Sequence, residues 1–149
     1  MTAAQEKGDI QGADDIVHLL RTFYVRCFED DLLGPIFVDV AQLDLEAHLP
    51  VMTDFWMTVL FRTGKYRRNL LKVHVDLHER APLTAGHLDR WLSLWTETTR
   101  AEFAGDVAEM AVTQAQRITW SLGRRLNGDI ASELTTVTRG ELVKPLPGR

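Results

Sequence analysis

A chain of 149 residues with 45% hydrophobic and 26% charged residues has the size of one domain that can bury its own core. Its formal net charge of −4, with basic residues scattered rather than striped, excludes a nucleic-acid-binding face. One cysteine, Cys27, excludes an internal disulfide framework, and no apolar run approaches the roughly 18 residues of a membrane span.

The chain opens on MTAAQEKGDIQGADD, which is polar and has no apolar signal core. Residues 1–13 are therefore expected to form a flexible tail, and a reducing, cytoplasmic compartment fits the lone thiol. From Asp14 to about Asp30 the apolar positions Val17, Leu20, Phe23, Tyr24, Cys27 and Phe28 follow the three-four spacing of a helix. Gly34-Pro35 within LLGPIF cannot continue it. A second long helix is expected from about Asp44 to Phe61. Pro50 falls in or just after its first turn, where the missing N–H matters little. RTGKYRRN reads as a connector, with Gly64 as the helix stop.

A short helix is expected over roughly Leu70 to Glu79, ending before Ala81-Pro82. Thr84 reads as the N-cap of a helix reaching about Phe103. Asp106 caps a last helix, to about Leu126. No strand alternation and no repeat is visible, so the fold class is all-α: a domain at 14–127, followed by a C-terminal tail at 128–149.

Three helical faces each contain a residue that is out of place. In RRNLLKVHVDLHER, His74 lies at the centre of the face made by Leu70, Leu71 and Leu77, and His78 at its edge, toward water. A neutral imidazole in an apolar slot suits iron, zinc or copper. It also suits a buried histidine bonded to a backbone carbonyl. A two-histidine zinc site with His78 lacks the further ligands zinc requires. On the second helix, His48, Met52, Phe55, Trp56, Val59 and Leu60 share one face, with His48 at its rim. On the helix after Thr84, Trp91 lies among Leu88, Leu92 and Trp95. Its N–H needs a partner, as does the hydroxyl of Tyr24 among Phe23, Cys27 and Phe28. A flat apolar cofactor held between helices accounts for all of these together.

With these pieces in order, the sequence resembles a truncated haemoglobin of group III. The matching segments are FY at 23–24, LGPIF at 33–37, HLPVMTDFW at 48–56, GKY at 64–66, LLKVH at 70–74 and DRWLSLW at 89–95. The paired glycines that mark the other truncated-globin groups are absent. Arg68 and Leu70 stand where members of the family carry a glycine and a proline.

The resemblance implies a two-over-two helical sandwich around haem b. It implies that His74 is the protein ligand of the iron, that Phe37 stacks on the porphyrin, and that Tyr24, His48 and Trp91 form the distal site. Phe23, Met52, Phe55, Trp56, Tyr66 and Leu77 would line the pocket. Arg67, Arg68 or Lys72 would serve the propionates. The implied ligands are O2, NO, CO or peroxide at a penta-coordinate iron. The chemistry would be that of a nitric oxide dioxygenase or a peroxidase rather than of a transporter, with a separate reductase, in a monomer or homodimer. Competing readings are a haem-based gas or redox sensor without turnover, and a haem-free helical binding module.

Overall fold

The computed structural model describes residues 7–64, 74, 78 and 83–126. The expected helix at 70–79, apart from His74 and His78, lies outside these residues, as do Tyr66, Leu77, Arg67, Arg68, Lys72 and the C-terminal tail.

Four long helices and one π-helical turn make up the described chain, and among the described residues there is no strand. Helix α1 spans Ala13–Glu29. It buries Ile16, Leu19, Leu20, Phe23, Tyr24 and Cys27, a stripe at three-four spacing that continues one face for the whole helix. The chain then turns at residues 31–33 and coils into a π-helical turn, Pro35–Val40, with Pro35 at its first position. Proline fits there because its missing N–H would have no partner in the turn anyway. Gly34 is required by contact rather than by dihedral angle: a Cβ here would lie 2.7 Å from the carbonyl oxygen of Phe28.

Helix α2 spans Leu45–Phe61. Asp44 caps it by accepting the N–H of Ala47, and Pro50 is carried without a break. The helix ends at Phe61, as expected, but its cap is Arg62 rather than Gly64. Arg62 takes the left-handed conformation, φ 60°, and its N–H reaches the carbonyl of Thr58. Gly64 is also left-handed, φ 73°. A non-glycine residue here costs about 1–2 kcal/mol, offset in part by the satisfied carbonyl at the helix end.

Helix α3, Ala85–Glu102, has the expected cap: Thr84 accepts from the N–H of His87, and the His87 ring accepts from the N–H of Thr84. Helix α4 spans Asp106–Leu126. Its N-terminus is capped from a distance. Asp9 accepts the N–H groups of Val107 at 2.9 Å and Ala108 at 2.8 Å. Residues 7–12, expected to be tail, thus lie on the domain, with Ile10 only 2% exposed and the N–H of Ala104 bonded to the carbonyl of Gly8. Gly105 makes room for Asp9. Its φ is 146°, and a Cβ would meet the Asp9 carboxyl at 2.4 Å.

Helix α1 pairs with α2 and α3 with α4, and the two layers meet through α1 on α3 and α2 on α4. Contacts across α1 and α3 run His18 to Glu102, Arg26 to Thr98 and Asp30 to Arg90. Numbers rise along one helix as they fall along the other, so the two are antiparallel. The same holds for α3 and α4, where Gly123 meets Leu88, Trp95 meets Ala111 and Arg100 meets Glu109. This is a two-over-two helical sandwich.

Aromatic rings fill its centre. Phe23, fully buried, stands edge-on to Tyr24, Trp91 and Trp95 with centroids 4.7, 5.5 and 5.0 Å away. Trp95 stacks on Trp56 at 4.6 Å and lies parallel to Trp91 at 5.9 Å. Each such pair adds about 0.5–1.5 kcal/mol beyond its buried area. The Trp95 indole N–H is satisfied by the carbonyl of Ala111 at 3.1 Å. No helix among the described residues is long and apolar enough to cross a membrane.

Candidate functional site

The site grows from two helices that cross at Phe23. Tyr24 lies next to Phe23 on α1, and Trp91 presents its ring to Phe23 from α3. An indole can only donate and a phenol can do both, so Trp91 beside Tyr24 could serve the phenol oxygen while the Tyr24 O–H stays available to donate onward. Burial pushes the Tyr24 phenol far above its ordinary pKa, Cys27 adds to this, and the neighbouring Trp91 indole opposes it. Tyr24 is therefore a protonated donor throughout the neutral range.

Phe37, delivered by the π-helical turn, meets Tyr24 edge-on at 5.6 Å and Phe28 at 6.1 Å. The turn is held by a small second cluster, in which Ile36 packs with Leu83, Leu122 and Leu126. From α2, Met52 and Phe55 pack against the main core, and Phe55 stands edge-on to Trp56 at 5.2 Å. Phe28, Phe37, Met52, Phe55 and Trp91 share one property. Each is large and apolar, packs against the core on one side, and is only half-buried. Leu43, Leu45, Met57, Val59 and Leu60 are partly buried in the same way, so what sets Phe28, Phe37, Phe55 and Trp91 apart is the size of their rings, which makes them, with Met52, a candidate lining for a flat apolar ligand.

The structure thus brings Tyr24, Trp91, Phe23 and Phe37 into direct ring contact and sets Met52 and Phe55 on the same core. His48 stands apart. It is exposed, and its Nδ1 lies 3.0 Å from the Asp44 carbonyl, one turn back. His74 is a half-buried helical residue. His78, expected to face water, is half-buried as well, and its Nδ1 accepts the N–H of Leu83 at 2.8 Å. This bond fixes the His78 ring to the lead-in of α3, where it has a capping task of its own. Among the described residues no three His, Cys, Asp or Glu side chains converge as a metal cage.

Sequence reasoning missed two residues that organise this site. Asp30, just past the end of α1, accepts from Arg90 Nε at 2.7 Å and from the N–H groups of Leu32 and Leu33 at 3.0 and 2.9 Å. Burial alone would raise its pKa, but the Leu33 N–H, the Arg90 guanidinium and the Leu32 N–H outweigh this and hold it below the usual carboxylate range. An aspartate before LLGP is a visible turn signal. Its partner 60 residues away is not visible.

No family model matches the chain. A curated protein of Campylobacter jejuni, described as a group 3 truncated hemoglobin, is 27% identical over 108 residues, which is 70% of this chain and 83% of that protein. The crystal structure of the group III truncated hemoglobin from Campylobacter jejuni superposes with a TM-score of 0.71 at 25% identity, covering 81% of this chain and 95% of that one. Homologue and structural neighbour are both group III truncated haemoglobins, and this all-helical chain shares the truncated-globin fold and is similar to them in sequence.

Proposed function

We propose that the chain is a haem b protein that binds diatomic ligands and acts on the bound ligand, nitric oxide or peroxide chemistry in preference to oxygen transport. The observation that carries this reading is the grouping of buried Tyr24 with Trp91 around Phe23, beside half-buried aromatic side chains. The donor set fits the group. Haem needs one imidazole, a broad apolar slot and a few polar donors on the ligand side. His74 is the residue we assign to the iron, since the family resemblance points to it and His78 is engaged with the backbone of Leu83. Phe37, Met52, Phe55 and Trp91 would flank the porphyrin, with Phe23 and Trp56 behind them.

When bound, haem supplies an iron with one open coordination position. The remaining steps belong to the protein. Trp91, across Phe23 from Tyr24, would orient the Tyr24 hydroxyl and polarise it by donating to its oxygen. Tyr24 keeps its proton at neutral pH and directs it at a ligand that gains negative charge. Such a bond in an apolar pocket contributes about 1–3 kcal/mol, enough to slow ligand loss by one to two orders of magnitude. Slow release favours reaction over delivery. His48, exposed at the start of α2, would act on ligand access or proton exchange with solvent. A cytoplasmic reductase would return the iron to its ferrous state, and the chain would work as a monomer or homodimer.

The test is an absorption spectrum of the purified protein in ferric, ferrous and CO-bound forms, followed by single-turnover mixing of the oxygenated protein with nitric oxide and of the ferric protein with hydrogen peroxide. A Soret band and stoichiometric nitrate are expected. A colourless protein that takes up no added haem would leave a haem-free helical binding module. A coloured protein inert to nitric oxide and peroxide would be a sensor.

A further inference from the structure

Tyr24 and Trp91 stand on different helices, and what sets their alignment lies outside the pocket. Arg90 immediately precedes Trp91 on α3. Its Nε donates to Asp30 Oδ1 at 2.7 Å, while Asp30 Oδ2 accepts the N–H groups of Leu32 and Leu33. The Asp30 side chain is 6% exposed, although that of Arg90 is 46% exposed. A buried carboxylate that satisfies three donors is a fixed point in the fold. It joins the end of the helix that carries Tyr24, the turn that leads to Phe37, and the helix that carries Trp91. A second tie crosses the same interface in the other sense, from Arg26 of α1 to the Thr98 hydroxyl of α3 at 2.8 Å. Phe23, with Trp91 and Trp95 edge-on to it, packs within the same interface.

We propose that the Asp30–Arg90 ion pair is the positioning device of Tyr24 and Trp91, fixing the register of α3 on α1 and so the place of the indole across Phe23 from Tyr24. This rests on the reading that Tyr24 and Trp91 face a haem-bound ligand. Arg90 does not itself touch the ligand. It acts through Trp91, one residue along, and Asp30 acts through the end of α1.

The experiment compares wild type, Arg90→Leu, Arg90→Lys, Trp91→Phe and Arg90→Leu/Trp91→Phe in the haem-loaded protein. Three signals are read: the indole N–H resonance of Trp91, assigned by its loss in Trp91→Phe; the C–O stretching band of the CO complex; and the oxygen dissociation rate. Arg90→Leu is expected to move the Trp91 resonance and the C–O band and to speed oxygen loss about three- to tenfold, with haem retained. Arg90→Lys keeps a cation for Asp30 and should recover most of all three signals. In the Trp91→Phe background, Arg90→Leu should change oxygen loss no further, because the residue it positions is gone. An unmoved Trp91 resonance in Arg90→Leu, or the same acceleration with Trp91 already removed, overturns the proposal. A wild-type protein that takes up no haem, or a Tyr24→Phe variant with unchanged oxygen release, overturns the functional reading instead, and the indole resonance still decides the tie.

Discussion

Tyr24 of α1 and Trp91 of α3 both stand edge-on to Phe23, with centroids 4.7 and 5.5 Å away, which brings a phenol and an indole together across the helix interface. We expect the indole N–H, which can only donate, to serve the phenol oxygen and so leave the tyrosine proton to meet a ligand. Tyr24→Phe should therefore raise the oxygen dissociation rate roughly tenfold or more, for a lost bond of about 1–2 kcal/mol. Trp91→Phe should raise it less, since Tyr24 remains. In the double variant the Trp91 change should add little. Stopped-flow oxygen release on the three proteins checks this, and equal, additive effects would mean that both groups bond the ligand directly.

His48 is exposed and bonded to its own helix start, so it should matter for access. His48→Leu should change the CO association rate more than the oxygen dissociation rate. It should alter stability by no more than about 0.5 kcal/mol, as expected for a surface position. Flash photolysis and chemical denaturation measure the two. If His48→Leu alone accelerated oxygen loss, with Tyr24→Phe silent, the pocket would be of the distal-histidine kind.

Asp9 should be a larger factor in stability than its place near the N-terminus suggests. It satisfies two N–H groups at the start of α4, so Asp9→Ala should cost about 1–2 kcal/mol. Burial by itself would raise the Asp9 pKa, but the N–H groups of Val107, Ala108 and Ile10 hold it below its ordinary value. A carboxylate with a depressed folded-state pKa contributes its stability above the unfolded value and loses it as pH falls through the folded one. The difference between wild type and Asp9→Ala in urea melts should be full at pH 7 and shrink below about pH 4. A difference that does not change with pH would rule out the charged cap.

Much of this architecture is legible in the sequence because it is periodic. The stripe Val17, Leu20, Phe23, Tyr24, Cys27 and Phe28 identifies α1 to within a residue or two, although Ile16 and Leu19 are buried where Val17 and Phe28 are only half-buried, and Thr84, which caps its own third residue, marks the start of α3. The contacts that escape the sequence are those made between distant segments. Ile10 is one apolar residue in a polar stretch and shows no period, yet it is buried, and Asp9 beside it caps a helix that begins almost a hundred residues later. Arg62 takes a conformation that sequence would give to Gly64, because the last carbonyl of α2 finds its donor there. At the site, the aromatic identities are readable from spacing and family resemblance. The placing of Trp91 and Tyr24 on either side of Phe23 and the capping task of His78 are geometric, and no spacing encodes them.

Haem should act as part of the core. Phe37, Met52, Phe55 and Trp91 are half-buried, and a ligand that binds only the folded state stabilises it by mass action, by about 4 kcal/mol at a thousandfold excess over Kd. Haem-loaded protein should melt well above haem-free protein in a thermal scan. Equal melting temperatures would mean that the aromatic wall closes on itself without a cofactor.

The central assignment is that His74, and not His78, holds the iron. The measurement that tests it most directly is the absorption spectrum of the ferrous CO complex in wild type, His74→Gly and His78→Ala. His74→Gly should lose the wild-type Soret band and regain it on addition of free imidazole, which can fill the space and supply the missing nitrogen. His78→Ala should keep the wild-type spectrum and lose only the stability that comes from its bond to the Leu83 N–H. The reverse pattern, an intact spectrum in His74→Gly and a lost one in His78→Ala, would contradict the assignment.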